Sequence, residues 1–262
     1  MAGRSLSEVR TTHVRTARHN SGPRELDERL RGRVVLGVGR KGKFLVGALD
    51  DGQTLVAHLG MSGRFTVGDP LDAEPAHTHF RALLDNGVEV RFVDPRTFGF
   101  VAVFDDDELA GSGFSRLGPD AWVETPSTEA LQAALSTRTA PIKALLLDQV
   151  VVSGLGNIYA DEALHIAGIH PLRPGQDLSA DELGRLLAAI RSVLDLAIDN
   201  GGTSLDDLAY LLPDGRAGAN LNRLAVYGRT DLPCLECGAP IERMVIRSRS
   251  SHFCPDCQAI RR

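Results

Sequence analysis

The sequence predicts an α+β protein in three parts: an antiparallel β-sandwich over residues 1–125, a helix–two-turn–helix domain over 126–222, and a zinc-finger hairpin over 223–262. Three observations support this division. Short alternating apolar runs fill the first part, a helical period begins near residue 127, and all four cysteines lie in two Cys-x2-Cys pairs near the end. The 262 residues are enough for two domains with their own cores.

The β prediction rests on short alternating runs separated by turn signals. Asp-Asp-Gly at 50–52 and Asp-Asn-Gly at 85–87 are typical of hairpin turns. Strands of this length and spacing favour an antiparallel sandwich or a flattened barrel. The candidate strands lie at 34–38, 44–49, 54–58, 80–84, 88–93 and 99–104, with one short helix at 23–30 that begins on a proline.

The second part changes to a helical period. Ser179 and Glu182 form a capping box before the last helix, and Gly201-Gly202 marks its end. Residues 203–228 are rich in Asp, Gly, Asn and Leu, so we expect irregular structure there. The candidate helices lie at 127–136, 141–151, 158–167 and 180–200.

Charge is distributed unevenly along the chain. The net charge is −5, yet residues 1–43 hold eleven Lys or Arg against four acids, and residues 223–262 hold seven Arg against four acids. Basic segments in an acidic protein fit a local phosphate-binding surface, although solvated charged faces would give the same count. The sequence has neither a run of eighteen apolar residues nor an apolar leader. We therefore expect no membrane span and a cytoplasmic protein.

The four cysteines form two pairs, Cys234 with Cys237 and Cys254 with Cys257, with sixteen residues between them. Two such pairs can close one tetrahedral zinc site through four thiolates, which leaves no open position for water. We therefore predict one structural Zn2+ and no disulfide, which fits a reducing compartment. The metal would hold the basic hairpin that contains Arg249 rigid, and its arginines would face a negative partner, with nucleic acid the first to consider.

A glycine-bearing turn, Gly-Leu-Gly-Asn at 154–157, leads into a predicted helix. Asn157 is expected as the N-cap, and free amides at a helix start favour an anion. With the helix at 141–151 this segment makes a helix–two-turn–helix unit, where Arg138 and Lys143 could reach phosphates. An ordinary helix–helix turn is the alternative for this segment alone.

Two further segments suggest insertion into a base stack. HLGMSG at 58–63 presents Met61 between glycine-bearing turns, and proteins use apolar wedges of this kind to extrude a nucleotide. DPRTFG at 94–99 projects Arg96 and Phe98 from one side of an extended turn. The alternatives are a core methionine, and an Arg–Asp pair beside a core phenylalanine.

A basic turn, RKGK at 40–43, stands at the entrance to a strand. Lys43 there could contact phosphate or transfer a proton. A solvated strand end is the alternative.

In this order, the four segments and the cysteine pairs resemble the formamidopyrimidine-DNA glycosylase family, which excises oxidised purines and cuts the strand. Each segment alone is a weak signal, and together they are specific. The resemblance covers about residues 3–259, and HLGMSG with DPRTFG favours the Fpg/MutM branch over the endonuclease VIII-like branch. It implies a monomer that binds damaged double-stranded DNA in base-excision repair, with DNA N-glycosylase and AP-lyase activity, in a bacterial cytoplasm in association with the nucleoid.

The resemblance implies a role for each matching residue. Met61, Arg96 and Phe98 would fill the gap left by the flipped base and read the opposing cytosine. The four cysteines would hold the zinc. The family's DNA-contact positions would fall on His77, Arg96 and Arg138, and the predicted DNA-binding set also includes Lys143 and Asn157.

Catalytic assistance is implied for two cations. Lys43 would contact phosphate beside the lesion and assist β-elimination. Asn157 and Arg249 would grip the phosphates flanking the extruded nucleotide, with Arg249 tied to δ-elimination.

The start of the chain departs from the family pattern. The family begins Met-Pro-Glu-Leu-Pro-Glu, and its mature N-terminal proline is the nucleophile with the glutamate as acid/base partner, whereas this chain begins Met-Ala-Gly-Arg. The secondary amine forms an iminium with the sugar C1′, which is the electron sink for strand cleavage. A piece on the order of 20–30 residues, about one helix with its lead-in, is missing by this comparison. Without it we expect an uncovered apolar groove in the β domain.

Two explanations follow. Either the gene start lies upstream and the natural protein is an ordinary glycosylase, which we favour, or the chain is a truncated, non-catalytic binder of lesion or abasic DNA. A third interpretation is a zinc-ribbon protein that binds RNA or another protein. It does not account for Met61, Arg96 and Phe98.

The loop DGRAGAN at 214–220 is a second departure. Many relatives carry aromatics where this chain has Ala219 and Asn220, in the loop that covers the flipped base. We expect a smaller lid here, which leaves the choice between 8-oxoguanine and ring-opened purines open.

Overall fold

The structure is a computed structural model that describes residues 1–204, 210–212 and 215–260. Within those residues, no helix combines the length and the apolar character that crossing a membrane requires.

The chain folds as two compact units. The first holds residues 1–115 and 203–219, and the second holds residues 116–202 and 220–262. The division differs from the three parts expected from sequence, because the zinc hairpin shares a unit with the helices and residues 203–219 join the β unit.

The first unit is built on one antiparallel sheet of eight strands in the order β5-β7-β6-β1-β2-β3-β4-β8. All six predicted strands are present, within three residues at each end, and two strands, β1 and β5, were not predicted. The elements are β1 (Arg4–Thr11), α1 (Pro23–Leu30), β2 (Val34–Lys41), β3 (Phe44–Leu49), β4 (Thr54–His58), β5 (Arg64–Gly68), β6 (Thr78–Leu84), β7 (Glu89–Val93), β8 (Phe100–Phe104) and α2 (Asp106–Gly111).

Strand β1 joins the two halves of the sheet. Arg4 and Ser5 pair with β2, whereas Leu6 to Thr11 pair with β6, and the register shifts between Leu6 and Glu8. An extra residue at such a bulge bends the strand, so the sheet folds over a shared core. Buried side chains from both halves lie in one apolar cluster, which confirms the predicted antiparallel sandwich.

The second unit packs α-helices around an apolar core. The capping box is confirmed, since Ser179 Oγ accepts from the Glu182 amide at 3.2 Å and Glu182 Oε2 accepts from the Ser179 amide at 2.9 Å. Helix α4 is shorter than the predicted 141–151, because the Asp148 carboxylate accepts the Val150 amide at 3.1 Å and turns the chain. The helices are α3 (Thr128–Leu135), α4 (Ile142–Leu146), α5 (Asn157–Ala167) and α6 (Ala180–Asp199).

The zinc hairpin ends this unit. Strands β9 (Glu242–Ile246) and β10 (Arg249–Phe253) pair antiparallel, with Arg249 opposite Ile246. The two turn residues, Arg247 and Ser248, both have positive φ, at 44° and 64°. Such a turn matches the twist of the strands and places Arg249 beside the hairpin tip.

Candidate nucleic-acid interface

The three predicted wedge residues are exposed on two neighbouring turns of the β unit. Met61 is 55% exposed on the turn between β4 and β5, and Phe98 is 41% exposed on the turn between β7 and β8. Arg96 is exposed on the second turn, with its guanidinium carbon 5.1 Å from the centroid of the Phe98 ring. The Arg96 cation, the Phe98 ring and the Met61 thioether are thus presented to solvent. The alternatives, a methionine and a phenylalanine packed in the core, do not describe these side chains.

Two arginines support the Phe98 turn, and sequence reasoning missed both. The Arg18 guanidinium donates to the carbonyls of Gly99 at 2.6 Å and Phe98 at 2.9 Å, and lies over the Phe100 ring. Arg15 lies with its guanidinium carbon 5.7 Å from the Phe98 ring centroid. The only sequence signal was their position in the basic first segment.

Lys43 lies in a cavity of about 320 Å³ in the same unit. Its lining includes His58, Met61 and Tyr210, and the Lys43 side chain is exposed. His58 Nδ1 accepts the Gly60 amide at 2.9 Å, which fixes the start of the Met61 turn. Burial, then the charges of Lys43 and Arg18, lower the pKa of His58, so a neutral ring that can accept this bond is favoured.

His77 is exposed and has a left-handed backbone, with φ at 65°. Its ring lies 6.4 Å from that of His79, which in turn lies 4.8 Å from His13. Burial and then His13 lower the pKa of His79. The His77 carbonyl of this cluster accepts the Asp94 amide at 3.0 Å, two residues before Arg96 on the neighbouring turn.

An apolar groove of about 340 Å³ opens beside Met1 and Ala2. Val38, Phe65 and Val67 are among its lining side chains, and Val38 and Val67 are half or more exposed. A groove of this kind was expected where the family's first helix would lie.

In the helical unit, Asn157 is the first residue of α5 and not its N-cap. Gly156 holds the cap position and makes no side-chain cap bond, so the N-cap prediction was wrong. Asn157 Nδ2 instead donates to the Ser250 carbonyl on β10 at 3.1 Å. The amide therefore joins the helix start to the zinc hairpin, one residue from Arg249.

Lys143 is completely buried, which corrects the prediction that it reaches phosphate. Its ammonium pairs with Asp161 on α5 and donates to the Ser250 carbonyl at 3.2 Å. Burial lowers the pKa of Lys143, and the Asp161 carboxylate opposes that shift. A side chain with no exposed surface holds elements together and does not contact DNA in this arrangement.

The two remaining predicted cations are accessible. Arg249 is exposed at the start of β10. Arg138 is 45% exposed at its side chain and lies 3.7 Å from the Asp148 carboxylate. Their charges can therefore meet a phosphate.

Glu162 is a buried residue that the sequence analysis did not single out. Its carboxylate accepts the amides of Ala225, Val226 and Tyr227 at 2.7, 3.0 and 2.8 Å. It anchors the segment that leads to the zinc hairpin, and its position five residues after Asn157 gave no sign of that role.

The four cysteine sulfurs lie within 4.8 Å of one another. Cys234 Sγ is 3.9 Å from Cys257 Sγ, and Cys237 Sγ is 3.4 Å from Cys254 Sγ. Four thiolates around Zn2+ at bonds of about 2.3 Å stand roughly 3.8 Å apart, so these positions fit one closed tetrahedral site. One structural zinc is thereby confirmed.

The predicted lid lies partly outside the described residues, since Asp214 falls among those the structure leaves out. Ala219 is exposed and its backbone bridges to Thr203, whereas Asn220 is buried at the start of a short 3-10 helix. Ala219 offers only a methyl group to solvent, and the Asn220 side chain faces inward.

A folded antiparallel sheet, a helix–two-turn–helix unit and a four-cysteine hairpin define a zinc-finger protein of the helix–two-turn–helix class. Family models match all three parts: the formamidopyrimidine-DNA glycosylase N-terminal domain over residues 1–101, the H2TH domain of the same family over 117–208, and the zinc finger found in FPG and IleRS over 231–260. The chain belongs to the formamidopyrimidine-DNA glycosylase family.

Individual relatives agree. The formamidopyrimidine-DNA glycosylase of Nocardia farcinica is 43% identical over 272 residues, covering 98% of this chain and 92% of that protein. The solved MutM (Fpg) protein of Thermus thermophilus is 40% identical with a TM-score of 0.86, covering 98% of this chain and 92% of that one. The Lactococcus lactis Fpg, solved in complex with DNA containing an abasic site, is 30% identical with a TM-score of 0.87, covering 99% and 94%.

Proposed function

We propose that this protein binds damaged double-stranded DNA as a monomer and acts in base-excision repair of oxidised purines at the bacterial nucleoid. The observation that carries the proposal is the exposure of Met61, Arg96 and Phe98 on two adjacent turns of one unit. An apolar prong, an aromatic ring and a bidentate donor are what a protein needs to replace an extruded base and pair with its orphaned partner.

The cations are assigned as phosphate ligands. Lys43, in the cavity beside Met61, would meet the phosphate next to the lesion and assist β-elimination. Arg249, on the rigid hairpin, would grip the flanking phosphates and assist δ-elimination. His77 and Arg138, both accessible, would contact the duplex, and Asn157 would hold the hairpin as well as the backbone.

Base release and strand cleavage are proposed for the form whose N-terminus carries the family's Pro-Glu. In the family pattern the secondary amine of an N-terminal proline attacks the sugar C1′, and the iminium that it forms withdraws electrons for elimination. The apolar groove beside Met1 and Ala2 offers an apolar surface to a preceding helix.

The test is a pair of measurements on protein isolated from its own cells. Intact mass defines the N-terminus, and borohydride is then added to the protein with an 8-oxoguanine duplex. A mass above 28.1 kDa together with a trapped covalent adduct supports the glycosylase/AP-lyase activity. Tight binding to an abasic site without base release or a trapped adduct would favour the alternative, a non-catalytic binder of damaged DNA. A protein that neither binds the abasic site tightly nor forms the adduct would refute the proposal.

A further inference from the structure

The two turns that carry the wedge residues meet at one buried carboxylate. Asp94 is completely buried at the end of β7, and Ser62, next to Met61, is also buried. Asp94 Oδ1 accepts from Ser62 Oγ at 2.6 Å, and Asp94 Oδ2 accepts from the Gly99 amide at 2.7 Å. One carboxylate therefore bonds to both turns.

The backbone amide of Arg96 joins the same hydrogen-bond network. The Arg96 amide lies 3.3 Å from both Ser62 Oγ and Asp94 Oδ1. The Asp94 amide donates to the His77 carbonyl at 3.0 Å, which adds the exposed His77 segment to the same node. Three segments with proposed DNA contacts thus converge on Asp94.

The turns are also in backbone contact. Gly60 has φ at 67°, and a Cβ there would lie 2.5 Å from the Gly99 nitrogen and 2.7 Å from the Phe98 carbonyl carbon. No side chain fits between them, so a shift of one turn displaces the other. Hydrogen bonds to a buried charged acceptor add direction to this packing.

Resting on the proposed function, we propose that Asp94 is a positioning residue that joins the Met61 turn and the Arg96–Phe98 turn into one rigid wedge. Its carboxylate holds the thioether and the Arg96–Phe98 pair at a fixed spacing before DNA binds. Insertion of the Met61 and Phe98 side chains into the base stack and recognition of the opposing base by Arg96 then occur in one step. The two turns do not have to be ordered separately when DNA binds.

The coupling is tested without DNA by hydrogen exchange. Peptides covering 59–66 and 94–100 are compared in the wild type, Asp94→Asn and Ser62→Ala. Ser62→Ala removes one hydroxyl that bonds to Asp94 and to the Arg96 amide, and the proposal expects faster exchange in both peptides, including at the Gly99 amide, which bonds to Asp94 and not to Ser62. Faster exchange in 59–66 alone would overturn it. Asp50→Asn is the control, because Asp50 is exposed in a turn outside both peptides. It should leave the exchange rates of both peptides unchanged.

The consequence for recognition is tested with folded variants. Asp94→Asn is expected to weaken binding to an abasic-analogue duplex with cytosine opposite by about tenfold, and to reduce the preference for cytosine over adenine, while binding to undamaged duplex stays within about twofold. Ser62→Ala gives a smaller change in the same direction, and Ser62→Thr, which keeps the hydroxyl, restores it. A variant that keeps wild-type discrimination, or that loses affinity equally for all duplexes, would contradict the proposal.

A double-mutant cycle separates positioning from mere stability. With the wedge rigid, the losses from Met61→Ala and Phe98→Ala are coupled, so the double variant binds less poorly than the product of the two fold-losses. In the Ser62→Ala background the two losses should multiply. If wild-type protein shows no lesion preference at all, the proposed function fails, and the exchange result still decides whether Asp94 joins the turns.

Discussion

Lys143 and Asp161 form a buried ion pair that joins α4 to α5 beneath the zinc hairpin. Asp161 also accepts from Ser251 Oγ at 3.0 Å and from the His252 amide at 3.0 Å. The Lys143 ammonium and Asn157 both donate to the Ser250 carbonyl. The position of Arg249, the residue before Ser250, therefore depends on two helices outside the hairpin.

Replacing Lys143 by methionine should lower the free energy of unfolding by about 3–5 kcal/mol, because it leaves the Asp161 carboxylate buried without its cation. Denaturant titration measures the change. Arg138→Met is the matched control, since Arg138 is half exposed at the surface and its distant contact with Asp148 should contribute less than about 1 kcal/mol. Equal effects of the two substitutions would contradict the structural role of Lys143.

Removing zinc should unfold the hairpin while the β unit stays folded. Binding free energy at a structural zinc site is folding free energy, and the four sulfurs join the segment around Cys234 to the residues that follow β10. A chelator is expected to release one zinc per chain and to speed hydrogen exchange in β9 and β10, with β2 to β4 unchanged. Cys237→Ser should reproduce this result, and a hairpin that remains protected after zinc loss would count against it.

Arg249→Ala should weaken binding to every duplex and lower the salt dependence, with the slope of log K against log salt falling by about 1, because one phosphate contact is lost. Arg24→Ala is the control, an arginine 91% exposed and paired with Glu28 on α1. A change in base discrimination with an unchanged slope would mean that Arg249 contacts bases and not phosphate.

Acidification should destabilise the β unit. The pKa of His58 is lowered in the folded protein, so the unfolded chain binds the proton more tightly. Stability is therefore full above the unfolded pKa of about 6.5 and is lost as pH falls below it. Thermal melts at pH 7 and pH 5 measure the loss, which His58→Gln should reduce. The substitution should not abolish the loss of stability, because the pKa values of His19 and His79 are also lowered. If wild type and His58→Gln lose the same stability at pH 5, His58 does not contribute to the acid sensitivity.

Local patterns predicted most of the fold. Period-two runs found six strands, and caps and glycines bounded the long helices. Strand β1 was missed because its bulge breaks the alternation of buried and exposed residues between Leu6 and Glu8.

The site was harder to predict for a physical reason. A sequence shows charge but not burial, so Lys143 was assigned to phosphate although its partner, Asp161, lies eighteen residues away. Asn157 was assigned as a cap, but its amide bonds to a carbonyl ninety-three residues away. The exposure of Met61, by contrast, is what its sequence context favours, because glycine-bearing turns leave the side chain little to pack against.

The most direct test of the account is a competition between an abasic-analogue duplex and an undamaged duplex of the same sequence for this protein at fixed salt. The account predicts a preference of tenfold or more for the damaged duplex, about 1.4 kcal/mol, which Met61→Ala removes without weakening binding to undamaged DNA. Equal affinity for the two duplexes, with Met61→Ala binding as the wild type does, would contradict it.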